Sequence, residues 1–148
     1  MGSVRPVDIL LVEDNPLDIG LIRKALKQKN LANSLVVLRD GAEALEFLFA
    51  RGNYTGRKGF PPPKVVLLDL DLPTVSGLEV LRTIRGDPAT RTVPVVVLAS
   101  SRQEQDIVES YRLGVNSYII KPVDFEKFAE AVSQIGFSWV LLNKPPAH

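Results

Sequence analysis

The segment KVVLLDLDLP, residues 64–73, indicates the fold, because a short apolar run ends in two acidic residues, Asp69 and Asp71. Residues 64–69 are typical of a strand that is buried on both faces of a parallel sheet. Stretches with the helical spacing of apolar residues separate this run from four similar ones, at residues 7–12, 34–39, 94–99 and 117–120. Strands that alternate with helices predict a doubly wound α/β domain with a parallel sheet.

Local signals predict where several helices begin and end. Asn15 and Asp124 stand at predicted N-caps, where a side-chain oxygen accepts a hydrogen bond from the first turn. Gly114 is expected to terminate a helix over residues 102–113, since glycine adopts the left-handed conformation that often follows a helix. Residues 51–63 are rich in glycine and proline and are interpreted as a loop.

Composition excludes several classes of function. The chain has 148 residues, enough for one domain, and its formal net charge of +1 gives no electrostatic reason to expect nucleic acid or membrane binding. It has no cysteine, and its one histidine, His148, is the last residue. Disulfides, zinc–thiolate sites and Ser-His-Asp triads therefore lack candidates. No signal peptide or membrane-spanning pattern is present, so we expect a cytoplasmic protein.

Charged side chains follow three of the predicted strands. Glu13 and Asp14 follow the first strand, Asp69 ends the third, and Lys121 follows the fifth. Ligands of open α/β sheets bind at the carboxyl ends of the strands, so these side chains are expected to meet at one edge. The three carboxylates, Glu13, Asp14 and Asp69, are called the acidic rim below.

An acidic rim opposed by a lysine suits phosphoryl transfer. Crowded carboxylates repel one another, and a hard cation such as Mg²⁺, Mn²⁺ or Ca²⁺ relieves that repulsion. Mg²⁺ binds through one or two carboxylates and bridges to phosphoryl oxygens, and a carboxylate can act as the nucleophile toward phosphorus. A lysine can neutralise the charge on another phosphoryl oxygen.

These motifs resemble the response regulator receiver family over nearly the whole chain. The matching residues are Glu13-Asp14, the run LDLDLP at residues 68–73 with Gly77 beyond, and Lys121-Pro122. The resemblance implies a single (βα)5 flavodoxin-like domain over residues 1–148, with its core at about 6–136 and strand order 2-1-3-4-5. It also implies a response regulator of a two-component phosphorelay without an output domain, and therefore not an enzyme.

The resemblance assigns a role to each residue of the site. Asp69 would accept a phosphoryl group from a histidine kinase, and Lys121, whose bond to Pro122 is usually cis in the family, would contact that group. Mg²⁺ would be held by Glu13, Asp14, Asp69 and the backbone carbonyl of Asp71. Tyr118 matches the aromatic residue that changes rotamer on activation.

Position 99 departs from the family pattern. The family has Thr or Ser at the position of Ala99, and its hydroxyl binds the phosphoryl group and draws the fourth loop inward. Alanine lacks that hydroxyl, so the usual switch through Tyr118 is in question, and the neighbouring Ser100 is a candidate for the phosphate contact. Asp71 adds a further carboxylate, which could strengthen metal binding or change the lifetime of the acyl phosphate.

Two features resemble the stand-alone regulators that partner bacterial phytochrome histidine kinases: the long connection at residues 51–63 and the C-terminal extension, residues 137–148. The apolar end of the last helix favours a protein interface. The resemblance implies a homodimer through the fourth helix, fifth strand, fifth helix and extension, and the interface candidates are Phe137, Trp139, Val140 and Leu141.

Two other functions remain open. The Asp69-x-Asp71 motif also resembles that of haloacid-dehalogenase-type phosphohydrolases, but there it belongs to the first strand and is followed by Gly-Thr. Here it belongs to the third strand and is followed by Leu72-Pro73. The second is a receiver-like module that binds proteins without being phosphorylated, which Ala99 favours.

Overall fold

A five-stranded parallel sheet lies at the centre of the structure, a computed structural model that describes residues 8–28 and 35–135. Its strand order, β2-β1-β3-β4-β5, confirms the predicted flavodoxin-like α/β fold. The strands are β1 (Ile9–Val12), β2 (Leu35–Leu38), β3 (Val65–Asp69), β4 (Val95–Ala99) and β5 (Ser117–Ile120).

Five α-helices connect and cover these strands: α1 (Pro16–Gln28), α2 (Gly41–Leu48), α3 (Gly77–Gly86), α4 (Arg102–Ser110) and α5 (Phe125–Ile135). Both predicted N-caps are confirmed. Leu17 N–H donates to Asn15 Oδ1 at 2.9 Å, and Lys127 N–H donates to Asp124 Oδ1 at 2.8 Å. Within the described ranges, no helix is long and apolar enough to cross a membrane.

Alternate residues of each strand pack into two apolar clusters, one on each face of the sheet. Leu11 and Leu67 pack with residues of α1 and α5, such as Ile22 and Phe128. The other face joins intervening strand residues to side chains of α2, α3 and α4 that include Phe47, Val80 and Val108. Because both faces of the strands are buried, the strands are continuous apolar runs rather than alternating ones.

The segment expected to be a plain loop contains a 3-10 helix, Gly52–Arg57, which is kinked at Tyr54 (φ −113°, ψ 20°). Two contacts with α2 explain why the glycine-rich composition did not reveal it. The Tyr54 hydroxyl donates a hydrogen bond to the Glu43 carboxylate, and the Tyr54 ring meets Phe47 edge-on with 5.2 Å between centroids. Helical order here therefore depends on tertiary contacts rather than local propensity.

The predicted end of α4 was also wrong. The helix ends at Ser110 rather than residue 113, and Gly114, at φ +66°, lies in the following turn. Arg85 of α3 fixes that turn by donating to the carbonyls of Leu113 (2.6 Å) and Gly114 (2.9 Å). The same guanidinium also donates to Val93 O at 2.7 Å, so it ties together the loops before β4 and β5.

We expect Arg85→Met to lower the free energy of unfolding by about 2 kcal/mol, because it leaves several partly buried carbonyls without a charged donor. The matched control is Arg82→Met, whose side chain is exposed on the same helix and should change stability by no more than about 0.5 kcal/mol. Urea denaturation measures both. Equal effects of the two substitutions would contradict the role given to Arg85.

Candidate functional site

The acidic rim forms at the carboxyl edge of the sheet, as the sequence predicts. Asp69 is the last residue of β3, and Glu13 and Asp14 directly follow β1. One carboxylate oxygen from each of the three residues lies within 4.8 Å of the others. Glu13 and Asp69 are buried, whereas Asp14 is exposed, so the cluster opens to solvent on one side.

Lys121 brings its ammonium group to the centre of the site. Its Nζ lies 3.1 Å from a carboxylate oxygen of each of Glu13, Asp18 and Asp69. The Lys121–Pro122 peptide bond is cis. Asp18, a buried residue in the first turn of α1, was missed at the sequence level. Its position one turn after Asp14, on a helix that begins at the same edge, is the signal that could have identified it.

Burial and charge shift the pKa values of this group. Burial, reinforced by the negative charge of Asp69, raises the pKa of Glu13 to about 7. Burial also raises the pKa of Asp69, although the Lys121 ammonium partly offsets that effect. Burial alone would lower the pKa of Lys121, but its carboxylate partners raise it above the usual value. The site therefore keeps its lysine charged while its buried acids resist ionisation.

The residues present fit a hard divalent cation. Glu13 Oε1 and Asp69 Oδ1 are buried and accept no aligned hydrogen bond, although each lies at ion-pair distance from Lys121. Lys121 Nζ is shared by Glu13, Asp18 and Asp69, and Asp14 adds a further carboxyl group to the cluster, so the acidic groups outnumber the one ammonium that pairs with them. All candidate ligands are oxygens, which suits Mg²⁺, Mn²⁺ or Ca²⁺ rather than zinc.

Glycine at position 77 lets α3 begin directly beside the acidic rim. A Cβ at Gly77 would lie 2.1 Å from the carbonyl oxygen of Asp69, a distance that no side chain tolerates. Gly77 N–H donates to Leu70 O at 2.9 Å and holds the chain in this turn. The backbone that carries Asp69 is therefore fixed by close packing against α3.

The remaining predicted site residues lie at the ends of β4 and β5. Ala99 is fully buried in the apolar cluster, against which the partly buried Tyr118 also packs. The Ser100 hydroxyl donates to Asp71 Oδ2 at 3.2 Å, and Ser100 N–H donates to Glu104 Oε1 at 2.7 Å. Ser100 is thus engaged with Asp71 and α4, and its contact with phosphate stays a prediction.

The predicted interface residues, Phe137, Trp139, Val140 and Leu141, lie outside the described residues.

Comparison with known proteins decides the family. The sequence profile of the response regulator receiver domain matches residues 9–133. The chain belongs to the response regulator receiver family. It is 39% identical over 142 residues to response regulator Rcp1 of Synechocystis sp., covering 96% of this chain and 95% of that protein.

Solved structures of receiver proteins agree with this assignment. The bacteriophytochrome response regulator RtBRR superposes with a TM-score of 0.86 at 46% identity, covering 96% of this chain and 85% of that one. The bacteriophytochrome response regulator AtBRR superposes with a TM-score of 0.80 at 53% identity, covering 90% of this chain and 94% of that one. A Mn²⁺-bound form of Rcp1 is also similar, with a TM-score of 0.74 at 38% identity, covering 96% of this chain and 100% of that one. The phosphorylated cyanobacterial phytochrome response regulator RcpA has a TM-score of 0.73 at 39% identity, covering 97% of this chain and 100% of that one. The protein is a response regulator receiver of two-component signalling, similar to the phytochrome response regulators.

We expect Asp69→Asn to raise the free energy of unfolding by about 1 kcal/mol in EDTA at neutral pH, because it removes one crowded buried charge and leaves Lys121 two other carboxylates. Urea denaturation of the wild type and the variant measures this change. Asp106→Asn, on the exposed face of α4, should have no comparable effect. A stability equal to or below that of the wild type would contradict the crowding of charge at Asp69.

Proposed function

We propose that Asp69 accepts a phosphoryl group from a histidine kinase in a reaction that requires Mg²⁺. The observation that carries this proposal is the buried Asp69 carboxylate at the open edge of the sheet, 3.1 Å from Lys121 Nζ and clustered with Glu13 and Asp14. In this role the protein receives a phosphoryl group as a signal and does not turn over a substrate.

The chemistry follows from the two central side chains. An Asp69 carboxylate oxygen forms a bond to phosphorus while the bond between phosphorus and the donor's imidazole nitrogen breaks, and the electron pair of that bond returns to the imidazole. The Lys121 ammonium, which is paired with Asp69 in the unphosphorylated protein, would contact a phosphoryl oxygen instead and neutralise the charge on that oxygen. Asp18 and Glu13 keep the ammonium in place during the exchange, since both remain carboxylate partners.

We propose Mg²⁺ as the ion, held by Glu13, Asp14, Asp69 and the backbone carbonyl of Asp71. A bound Mg²⁺ would neutralise the acidic rim and the negative charge of the phosphoryl group. The buried oxygens of Glu13 and Asp69 that lack an aligned hydrogen-bond donor support this ligand set. Rcp1, which is 38% identical in its solved structure, was obtained in a Mn²⁺-bound form, and the similar RcpA was phosphorylated.

A bacterial phytochrome histidine kinase is the proposed phosphodonor, because the similar structures include bacteriophytochrome response regulators and a cyanobacterial phytochrome response regulator. We further propose a cytoplasmic protein that forms a homodimer through α4, β5, α5 and residues 137–148. Exposed Ile107 and Tyr111 on and next to α4, and Phe125 at the start of α5, support an apolar interface on that face.

The wild type is expected to gain one phosphoryl group from acetyl phosphate in the presence of Mg²⁺, because a small donor needs no kinase contacts. Asp69→Asn should abolish this gain, since an amide is not a nucleophile toward phosphorus. Intact-protein mass spectrometry measures the uptake, with and without EDTA.

Asp71→Asn is the neighbouring control, because the Asp71 carboxylate is exposed and accepts a hydrogen bond from Ser100 rather than joining the acidic rim. It should retain uptake. No uptake by the folded wild type would refute the phosphoacceptor proposal and favour the second candidate, a receiver that acts only by binding, for which Ala99 is the supporting feature.

Ala99→Thr is expected to enlarge the change in the fluorine chemical shift of labelled Tyr118 on phosphorylation, because it restores a hydroxyl that can bind the phosphoryl group. Fluorine NMR of protein labelled with 3-fluorotyrosine measures this, with Tyr118→Phe to assign the resonance. In the unphosphorylated state the buried hydroxyl should destabilise the variant by about 1–3 kcal/mol. A wild-type Tyr118 shift as large as that of Ala99→Thr would show that the switch works without the hydroxyl.

A further inference from the structure

A second concave site lies at the opposite end of the fold from Asp69. Its volume is about 340 Å³, within the range of small-ligand pockets. The end of α2, the segment that carries the 3-10 helix, and the turn after α3 line it. We call it the Arg57 pocket, and the lining residues used below are Phe47, Arg57, Lys58, Phe60, Pro61 and Asp87.

Arg57 lines this pocket and forms no ion pair with any acid of the described residues. Its guanidinium carbon lies 3.9 Å from the centroid of the Phe47 ring, a cation–π contact. Arg57 Nε is buried and has no hydrogen-bond acceptor among the described residues. Burial lowers the pKa of Arg57, and no carboxylate of the described chain compensates for that burial.

The acids nearby are engaged elsewhere. The Glu43 carboxylate accepts the hydrogen bond of the Tyr54 hydroxyl. Asp87 lines the pocket, but its Oδ1 accepts a hydrogen bond from Ala89 N–H at 2.8 Å. No described acid lies within ion-pair distance of Arg57, and Lys58 adds a second positive charge to the lining.

The Arg57 guanidinium, which has no ion-pair partner among the described residues, suits a carboxylate ligand. The guanidinium carbon of Arg57 lies over the Phe47 ring, and the N–H groups of a guanidinium lie in its plane, where they can bind a carboxylate in bidentate fashion. An unsatisfied buried donor has a desolvation cost that such a ligand would remove. The exposed Phe60 and Pro61 place apolar surface beside this charge.

We propose that the Arg57 pocket binds a carboxylate that is attached to an apolar group, with Arg57 as the charged anchor and Phe60 and Pro61 as the apolar wall. Such a group can come from a free organic acid or from an acidic residue beside an aromatic residue in a peptide. The site is separate from the acidic rim and does not depend on phosphorylation of Asp69.

A purely structural role for Arg57 makes a different prediction about stability. If the contact with Phe47 served only to hold the 3-10 helix, Arg57→Met would lower the urea midpoint. If the guanidinium awaits a ligand, an apolar side chain of similar length removes a partly buried charge that has no ion-pair partner among the described residues, so the midpoint should stay the same or rise.

The binding test is a titration of ¹⁵N-labelled full-length protein with 3-phenylpropionate, followed by amide chemical shifts. We expect saturable shifts in residues 47–62 and at least tenfold weaker binding of the neutral 3-phenylpropionamide. Arg57→Met should weaken carboxylate binding at least tenfold. The matched control is Arg51→Met, because Arg51 lies on the same segment over the Phe49 ring, is exposed and does not line the pocket.

A second arm uses the peptides acetyl-Glu-Phe-amide and acetyl-Gln-Phe-amide to identify the source of the carboxylate. Tighter binding of the glutamate peptide than of 3-phenylpropionate assigns the pocket to a peptide, and the reverse order assigns it to a free acid. The proposal is overturned if neither carboxylate gives saturable shifts, if each neutral analogue binds as well as its acid, or if Arg57→Met leaves the affinity unchanged. If Arg57→Met does not fold, the affinities of the wild type for 3-phenylpropionate and for 3-phenylpropionamide test the proposal without the variant.

Discussion

Lys121 Nζ lies 3.1 Å from carboxylate oxygens that come from three different parts of the fold: Glu13 after β1, Asp18 in α1 and Asp69 at the end of β3. The contacts form only when β3 lies beside β1 and Lys121 reaches back from the end of β5, so these ion pairs require the observed placement of β1, β3 and β5. Removing the Lys121 ammonium would leave buried carboxylates without their cation, and the loss of such a partner typically costs about 3–5 kcal/mol. The interactions that hold the edge of the sheet together are therefore the same ones that hold the proposed phosphoacceptor.

Lys121 supplies one ammonium for the carboxyl groups of Glu13, Asp18 and Asp69, and this excess of acidic groups supports the proposed binding of a divalent cation. A site that is stable without ligands would have paired its acids one to one, whereas here buried carboxylate oxygens of Glu13 and Asp69 lack aligned donors. A divalent cation would neutralise the excess negative charge of the acidic rim and, together with Lys121, the charge of an incoming phosphoryl group. Close packing of Gly77 against the Asp69 carbonyl keeps this crowded arrangement from relaxing.

The sequence predicted the strand order through a family resemblance, and it predicted the acidic rim because apolar runs mark strands whose carboxyl ends must meet. What it missed depends on contacts between distant segments. Asp18 looks like an ordinary first-turn acid until Lys121, more than a hundred positions later, is placed beside it. The 3-10 helix depends on the contacts of Tyr54 with α2, and the early end of α4 depends on Arg85 of α3. Local propensity carries none of this information.

The central claim is that the phosphoryl group is attached to Asp69. Borohydride reduces an aspartyl phosphate to homoserine, so peptide mass spectrometry of the reduced, phosphorylated protein locates the modified residue directly. The account predicts homoserine at position 69 in samples treated with acetyl phosphate and Mg²⁺, and aspartate there in untreated samples. Homoserine at position 14 or 71 with unmodified Asp69 would contradict it.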